Sequence, residues 1–248
     1  MTERKTTSGQ SVDLTANAVH QALQSKFNPE KAAFFPRFFK TGPGEYGAGD
    51  KFIGVVVPDQ RLIARQFRLL RLKEISKLLA SPLHECRLTG LLILVHQFEK
   101  AKSVDQQKPI YDFYVKSVDR VNNWDLVDSS CHKIMGPYLF ERSRKPLIQF
   151  AKAKHLWKNR IAMVTTYYFI RRNDLDTTIE IAELLMDHEH DLIHKAVGWM
   201  LRELGKQNKD LLIDFLKMHY PSLPRTALRY AIEKFPKAKR AKMLQGQF

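Results

Sequence analysis

A chain of 248 residues, 44% hydrophobic and 10% aromatic, has enough apolar side chain for a substantial core, which excludes a disordered class. Forty-one Lys plus Arg against 26 Asp plus Glu give a net charge of +15, and such an excess favours a polyanionic partner, nucleic acid first. No apolar run approaches the roughly 18 residues of a membrane span and no cleavable leader is legible. Cys86 and Cys131 lie in apolar helical patterns as buried thiols, so the expectation is a soluble cytoplasmic protein.

Residues 1–13 are polar and aperiodic and read as a mobile leader, leaving 14–248 as a single domain. Thr15 is a plausible cap for a short helix whose apolar side is Ala18, Val19, Ala22 and Leu23. Asn28-Pro29-Glu30 opens a second, carrying Phe34, Phe35, Phe38 and Phe39, with Pro36 expected to kink it. Gly42, Gly44 and Gly47 satisfy G-x-G-x-x-G, but a helix precedes them where a dinucleotide fingerprint needs a strand. Thr41–Asp50 therefore reads as a surface loop.

Phe52–Val57 is a short apolar run that could be a strand, and Pro58–Leu79 reads as helix. From there helices alternate with polar breaks: Glu85–Phe98, Pro109–Val121, Trp124–Met135, Pro137–Lys152, Leu156–Arg171, Asp176–Met186, Asp191–Lys206, Asp210–Met218 and Pro224–Phe235. Corresponding helix starts recur about every 30 to 40 residues, which predicts an all-α, HEAT-like α-solenoid. A curved array with a concave basic face can cradle duplex DNA.

Asn123-Trp124-Asp125-Leu126-Val127-Asp128 holds the most chemistry. Asn123 can cap, and Val127, Cys131, Ile134 and Met135 form one apolar arc. Trp124 falls at the edge of that arc with Asp128 one turn on, so a carboxylate is held beside an indole. In Asp191–Lys206 the core arc is Ile193, Ala196, Val197, Met200 and Leu204. Trp199 lies off it, among Lys195, Arg202 and Lys206, which suits an aromatic contact to nucleic acid flanked by phosphate-binding cations.

Arg160, in an apolar helix, needs a phosphate or a carboxylate such as Asp128 as partner. Arg225, Arg229 and the tail Lys234, Lys237, Lys239, Arg240 and Lys242 add basic surface. His188, His190 and His194 lack metal-ligand spacing, so neither metal nor other cofactor is expected.

Trp-Asp-Leu-Val-Asp (124–128), Leu-Trp-Lys-Asn-Arg-Ile-Ala (156–162), Lys-Ala-Val-Gly-Trp-Met-Leu-Arg-Glu (195–203) and Phe-Ile-Gly-Val-Val-Val-Pro (52–58) resemble the AlkD family of DNA alkylation repair enzymes. The resemblance runs from about residue 15 to 240. It implies a HEAT-like-repeat DNA glycosylase that removes N3- and N7-alkylpurines from double-stranded DNA. It also implies that the lesion stays in or near the stack, without a deep base-flipping pocket. In its terms Asp128 is the catalytic carboxylate, Trp124 and Trp199 face the damaged nucleotide, and Arg160 lies near the DNA backbone. Phe38 stands where one family member has Tyr, and the glycine-rich loop has no assigned role. A nucleoid-associated monomer is the expected state. The competing reading is a non-catalytic DNA-binding scaffold; a protein-binding solenoid fits the +15 charge poorly.

Overall fold

Capping and apolar spacing set the helix starts. The computed structural model describes residues 13–248, so the expected leader lies outside it save for Asp13. Thr15 caps α1 (Ala16–Gln24) and Asn28 caps α2 (Pro29–Phe38), each side chain accepting a first-turn N–H. There follow α3 (Val57–Gln66), α4 (Leu72–Leu79), α5 (His84–Lys100), α6 (Val104–Lys116), α7 (Trp124–Leu139) and α8 (Lys145–Ala151). The second half holds α9 (Leu156–Thr165), α10 (Tyr167–Ile170), α11 (Asp176–Leu185), α12 (Asp191–Gln207), α13 (Lys209–His219), α14 (Arg225–Ala231) and α15 (Lys237–Met243). The fold is all-α and solenoid-like.

The helices form two layers. One runs α3, α5, α7, α9, α12 and α14, each packed on the next. Behind it α4 and α6 pack on α5, α8 on α9, and α11 and α13 on α12. A continuous core joins Val19 near one end to Met243 near the other. Val127, Cys131, Ile134 and Met135, the predicted arc of α7, are fully buried. On the α6 side of α7, the Tyr114 and Ser130 hydroxyls hydrogen-bond at 2.9 Å, which fixes its rotation and leaves Trp124 and Asp128 half-buried.

Several boundaries differ from the sequence reading. Pro58–Leu79 is two helices, broken between Phe67 and Arg71. The helix expected from Pro109 starts at Val104, with the Ser103 hydroxyl as its cap. The helix expected to end at Met135 runs past Pro137 to Leu139. Leu156–Arg171 breaks at Thr166, and part of the basic tail forms α15. Phe52–Val57 is not a strand; an isolated bridge joins Lys51, just before it, to Leu83. The Ile53, Gly54 and Val55 N–H groups instead converge on Glu85 Oε1 at 3.1, 2.8 and 3.3 Å. A single buried carboxylate thereby satisfies three backbone donors that a sheet would otherwise pair. Gly54 permits this with φ +79°, and a Cβ there would lie 2.2 Å from Asn28 O.

Gly198 sets the spacing at the other end. A Cβ on it would meet Ala227 O at 2.4 Å and Tyr230 Cβ at 2.5 Å. Gly198→Ala should therefore push α14 off α12 and cost about 1–3 kcal/mol. Thermal unfolding would show it as a lowered Tm, and an unchanged Tm would mean that α14 docks elsewhere.

Candidate active site

The start of α7 is built from both sides. Asn123 Oδ1 accepts the Trp124 N–H at 2.8 Å, which sets Trp124 in the first turn. Phe39 stacks on the indole at 5.4 Å between centroids, and Phe38 meets it edge-on at 5.8 Å. Asp128 follows one turn later. Arg160, from α9, donates Nε to Asp128 Oδ1 at 2.9 Å and Nη2 to Oδ2 at 2.7 Å, while Nη1 donates to Leu192 O. Burial raises the Asp128 carboxyl above its ordinary value, and the guanidinium opposes that rise. Arg160 is 5% exposed, so its fork holds the carboxylate and does not stand free for a phosphate.

The glycine-rich loop, given no role by the sequence, enters this site. Its Tyr46 hydroxyl lies beside the Trp124 indole, with Lys195 and Arg160 close enough to oppose the upward pull of burial on its pKa. Its Asp50 enters a buried chain of charges. Asp50 Oδ2 is 2.9 Å from His84 Nδ1, His84 Nε2 is 2.7 Å from Asp125 Oδ2, and Arg87 Nη2 donates to Asp50 Oδ1 at 2.6 Å. Burial would discharge His84, but its two carboxylates outweigh that and raise its pKa to about 9. Loop, α5 and α7 are thus joined by ions directly behind Trp124. Only Tyr46, an aromatic residue among glycines, hinted at this in the sequence.

Between α2, α3, α5 and α7 lies an apolar cavity of about 460 Å³, walled by Phe35, Phe39, Phe52 and Trp124, with Asp128 and Ser129 at one side. The resemblance had implied no deep pocket.

Trp199 is half-buried on α12 and lies 6.2 Å from Tyr167, which contacts His132, the residue one turn after Asp128. The second indole thus reaches the carboxylate's helix through two aromatic rings. Burial, with Lys133 and Arg171, lowers the His132 pKa to about 4, so its ring is neutral. Of the expected phosphate contacts, Lys195 pairs with Asp191 at 2.8 Å, Lys206 with Glu203 at 2.6 Å, and Arg202 with Glu203 and Glu233. The exposed Lys195–Asp191 pair is worth about 0–1 kcal/mol and exchanges readily for phosphate, whereas the Arg202–Glu203 pair is largely buried and holds its partner more firmly. Arg225 and Arg229 are exposed on α14.

The sequence reading missed a second basic row. Arg61 and Arg65 of α3, Lys133 of α7, and Arg171 and Arg172 after α10 line two grooves that share Lys133 and Glu99. The ion pairs among the described residues engage none of these five cations. Arg172 lies over the Tyr168 ring at 3.4 Å.

His188, His190 and His194 have another task. His188 Nδ1 accepts the His190 N–H, His190 Nδ1 accepts the Leu192 N–H, and His194 Nε2 bonds His188 O. They cap α12. Among the described residues no group of three or more His, Cys, Asp or Glu is placed to hold a metal ion. None of the described helices is long and apolar enough to cross a membrane.

Comparison with known proteins identifies the fold and the family. A predicted DNA alkylation repair enzyme from Enterococcus faecalis superposes with a TM-score of 0.67 at 17% identity, over 86% of this chain and 98% of that one. At that identity the likeness shows the fold. No curated protein matches the chain. The family model for DNA alkylation repair enzymes matches residues 19–235, from α1 to beyond α14, and the chain belongs to that family.

Proposed function

We propose that the protein is a DNA glycosylase acting on positively charged N3- and N7-alkylpurines, such as 3-methyladenine and 7-methylguanine, in double-stranded DNA. Asp128 carries the reading. Its half-buried carboxylate is fixed through both oxygens by Arg160 and shares its surroundings with the Trp124 indole.

Such a purine is already a cation, so no acid is needed to expel it. The C1′–N bond breaks with its electron pair passing to the base, which leaves neutral. Positive charge then develops on the sugar, where a pre-placed carboxylate stabilises it without reorganisation. The Trp124 ring adds a π face to the same cation. Water adds to C1′, and its proton passes through Asp128 to solvent. Trp199 faces the damaged nucleotide from α12, Phe38 adds an aromatic contact to the DNA, and Lys195, Arg202, Lys206, Arg225 and Arg229 contact its phosphates.

The Asp128–Arg160 pair also supports a second reading, in which it is only structural and the protein is a DNA-binding scaffold. Incubation of the purified protein with methylated duplex separates the two. A glycosylase releases free 3-methyladenine or 7-methylguanine, whereas a scaffold binds and releases none.

The unpaired basic row gives a further expectation. Affinity for undamaged duplex should fall steeply between 50 and 200 mM salt, as is typical where about 6–10 phosphates are contacted. Lys133→Ala or Arg171→Ala should weaken binding to all sequences alike and reduce the salt slope by about 1 each. A slope untouched by both substitutions would place the DNA off this row.

A further inference from the structure

We infer that Tyr46, carried by the glycine-rich loop, is a substrate-binding residue whose hydroxyl donates to a phosphodiester oxygen flanking the damaged nucleotide. The inference rests on the glycosylase reading and deepens it, by giving a loop without an assigned role a place in the site.

The loop is built to hold one side chain still. Its backbone turns on hydrogen bonds from Glu45 N to Gly42 O at 3.0 Å, from Gly47 N to Lys40 O at 2.9 Å and from Asp50 N to Gly47 O at 3.1 Å. At its far end Asp50 is bound to His84 and Arg87, and the Lys51 N–H donates to Pro82 O at 3.1 Å. Midway, a Cβ on Gly47 would lie 2.5 Å from Phe39 O and 3.2 Å from Asn123 Nδ2, so the loop rests directly on the residue that caps α7. Tyr46 is thereby fixed against α7, α9 and the start of α12. Its ring meets Trp157 edge-on at 6.0 Å and His190, which caps α12, at 6.2 Å, while its hydroxyl meets the Trp124 indole. A side chain already immobilised loses little further entropy when it grips a ligand.

The balance of donors and acceptors indicates what it grips. An indole can only donate, so the Tyr46 oxygen accepts from Trp124 Nε1, and among the described residues its own O–H is left without an acceptor. His190 repeats the pattern. Its Nδ1 accepts the Leu192 N–H at 3.1 Å and burial lowers its pKa, so the neutral ring carries its proton on Nε2. Lys195 adds a cation paired with the exposed Asp191. Arg160 also lies close, but Asp128 and Leu192 O occupy it. Glu45, the neighbouring carboxylate of the loop, is exposed and accepts the Gly42 N–H at 2.8 Å. Two neutral donors beside a lysine suit an anion with more than one acceptor oxygen, and on DNA that anion is a phosphodiester. A cationic base would be repelled by Lys195.

The position of this contact gives it a task. Trp124 stands one turn before Asp128 on α7, so a phosphate held at Tyr46 sets the adjoining sugar against the carboxylate. Because the contact is to the backbone, the base can stay within the duplex.

The test is a double-mutant cycle between protein and DNA. The duplex contains 7-methylguanine on a 2′-fluoro sugar, whose fluorine disfavours the sugar cation and keeps the base attached. A methylphosphonate replaces each phosphodiester beside the lesion in turn. Tyr46→Phe removes the hydroxyl, keeps the ring, and should weaken binding about tenfold, as loss of a hydrogen bond to a charged group does. With a methylphosphonate at the contacted position, the same substitution should cost less than about twofold. The salt dependence of binding should not change, because a hydroxyl displaces no counterion, whereas Lys195→Ala should lower its slope by about 1. His190→Asn keeps a cap for the Leu192 N–H, loses the Nε2 donor, and should couple to the same position. Losses that add at every position mean that the hydroxyl only supports the loop, and they overturn the inference. So does a Tyr46→Phe protein that binds as wild type but releases base more slowly, which would put the hydroxyl on the attacking water. Release of free 7-methylguanine from the unfluorinated duplex checks the glycosylase reading separately. Coupling without release refutes that reading and leaves the phosphate contact standing; release without coupling does the reverse.

Discussion

Asp128→Asn should lower the rate of base release by about 10² to 10³, the usual consequence of removing one pre-placed electrostatic group from a reacting centre. The amide keeps the shape but loses the charge, and it sets an N–H₂ against either Nε or Nη2 of Arg160. Arg160 is then a buried cation without its partner, which adds a stability cost of about 3–5 kcal/mol at most. Circular dichroism and melting must therefore accompany the kinetics, at a temperature where the variant is folded. Affinity for undamaged duplex should hold or rise, since one negative charge has left the surface. The rate should also fall in acid as the carboxylate is protonated, through a pKa that burial places above the ordinary aspartate value. A folded variant that binds DNA and excises at the wild-type rate removes Asp128 from the chemistry and favours the scaffold. Rescue of stability, but not of rate, by Arg160→Gln in the Asp128→Asn background would separate positioning from catalysis.

The parts of this site legible in the sequence are those fixed by helical spacing. Val127, Cys131, Ile134 and Met135 recur at the helical period, so they had to be buried, and Asp128 had to flank them beside Trp124. The same logic left Trp199 off the core arc of α12, where it is half-buried. Arg160 was harder. Its position on an apolar helix demanded a partner, but spacing alone could not choose between phosphate and carboxylate; the geometry of α7 against α9 did.

What stayed hidden depends on contacts remote in sequence. Asp50 and His84 are 34 residues apart, and His84 and Asp125 41 apart, with no period linking them. The run Phe52–Val57 has strand composition, yet Glu85, 30 or more residues on, takes the donors that a neighbouring strand would have used. Local propensity yielded there to a tertiary contact. The row Arg61, Arg65, Lys133, Arg171 and Arg172 was invisible for the same reason, being assembled from α3, α7 and the end of α10.

The largest effect on stability is expected at His84, and its sign follows from geometry. Both ring nitrogens face carboxylate oxygens, at 2.9 and 2.7 Å, and only the imidazolium can donate from both. Asp50 and Asp125 against His84 and Arg87 then sum to zero charge within the interior. Burial would raise the Asp50 carboxyl, but His84 and Arg87 together hold it below its ordinary value. For His84 the folded pKa of about 9 lies above the ordinary value of 6.5. Its contribution is therefore complete below pH 6.5 and is lost as pH rises through 9, an amount of about 3 kcal/mol by linkage.

His84→Gln should thus cost several kcal/mol near pH 6, because two buried carboxylates lose their shared cation. The gap to wild type should narrow by about 3 kcal/mol between pH 6.5 and 10. Comparing the two proteins at each pH cancels the groups that titrate in both, among them the buried thiol of Cys131 and the hydroxyl of Tyr114, which burial pushes up. Because Asp50 belongs to the glycine-rich loop, amide exchange in residues 42–51 should quicken in the variant, and Tyr46 should lose its place beside Trp124. A gap that stays constant from pH 6.5 to 10 would mean that His84 carries no proton linked to folding, and the charge chain would then not be what holds loop, α5 and α7 together.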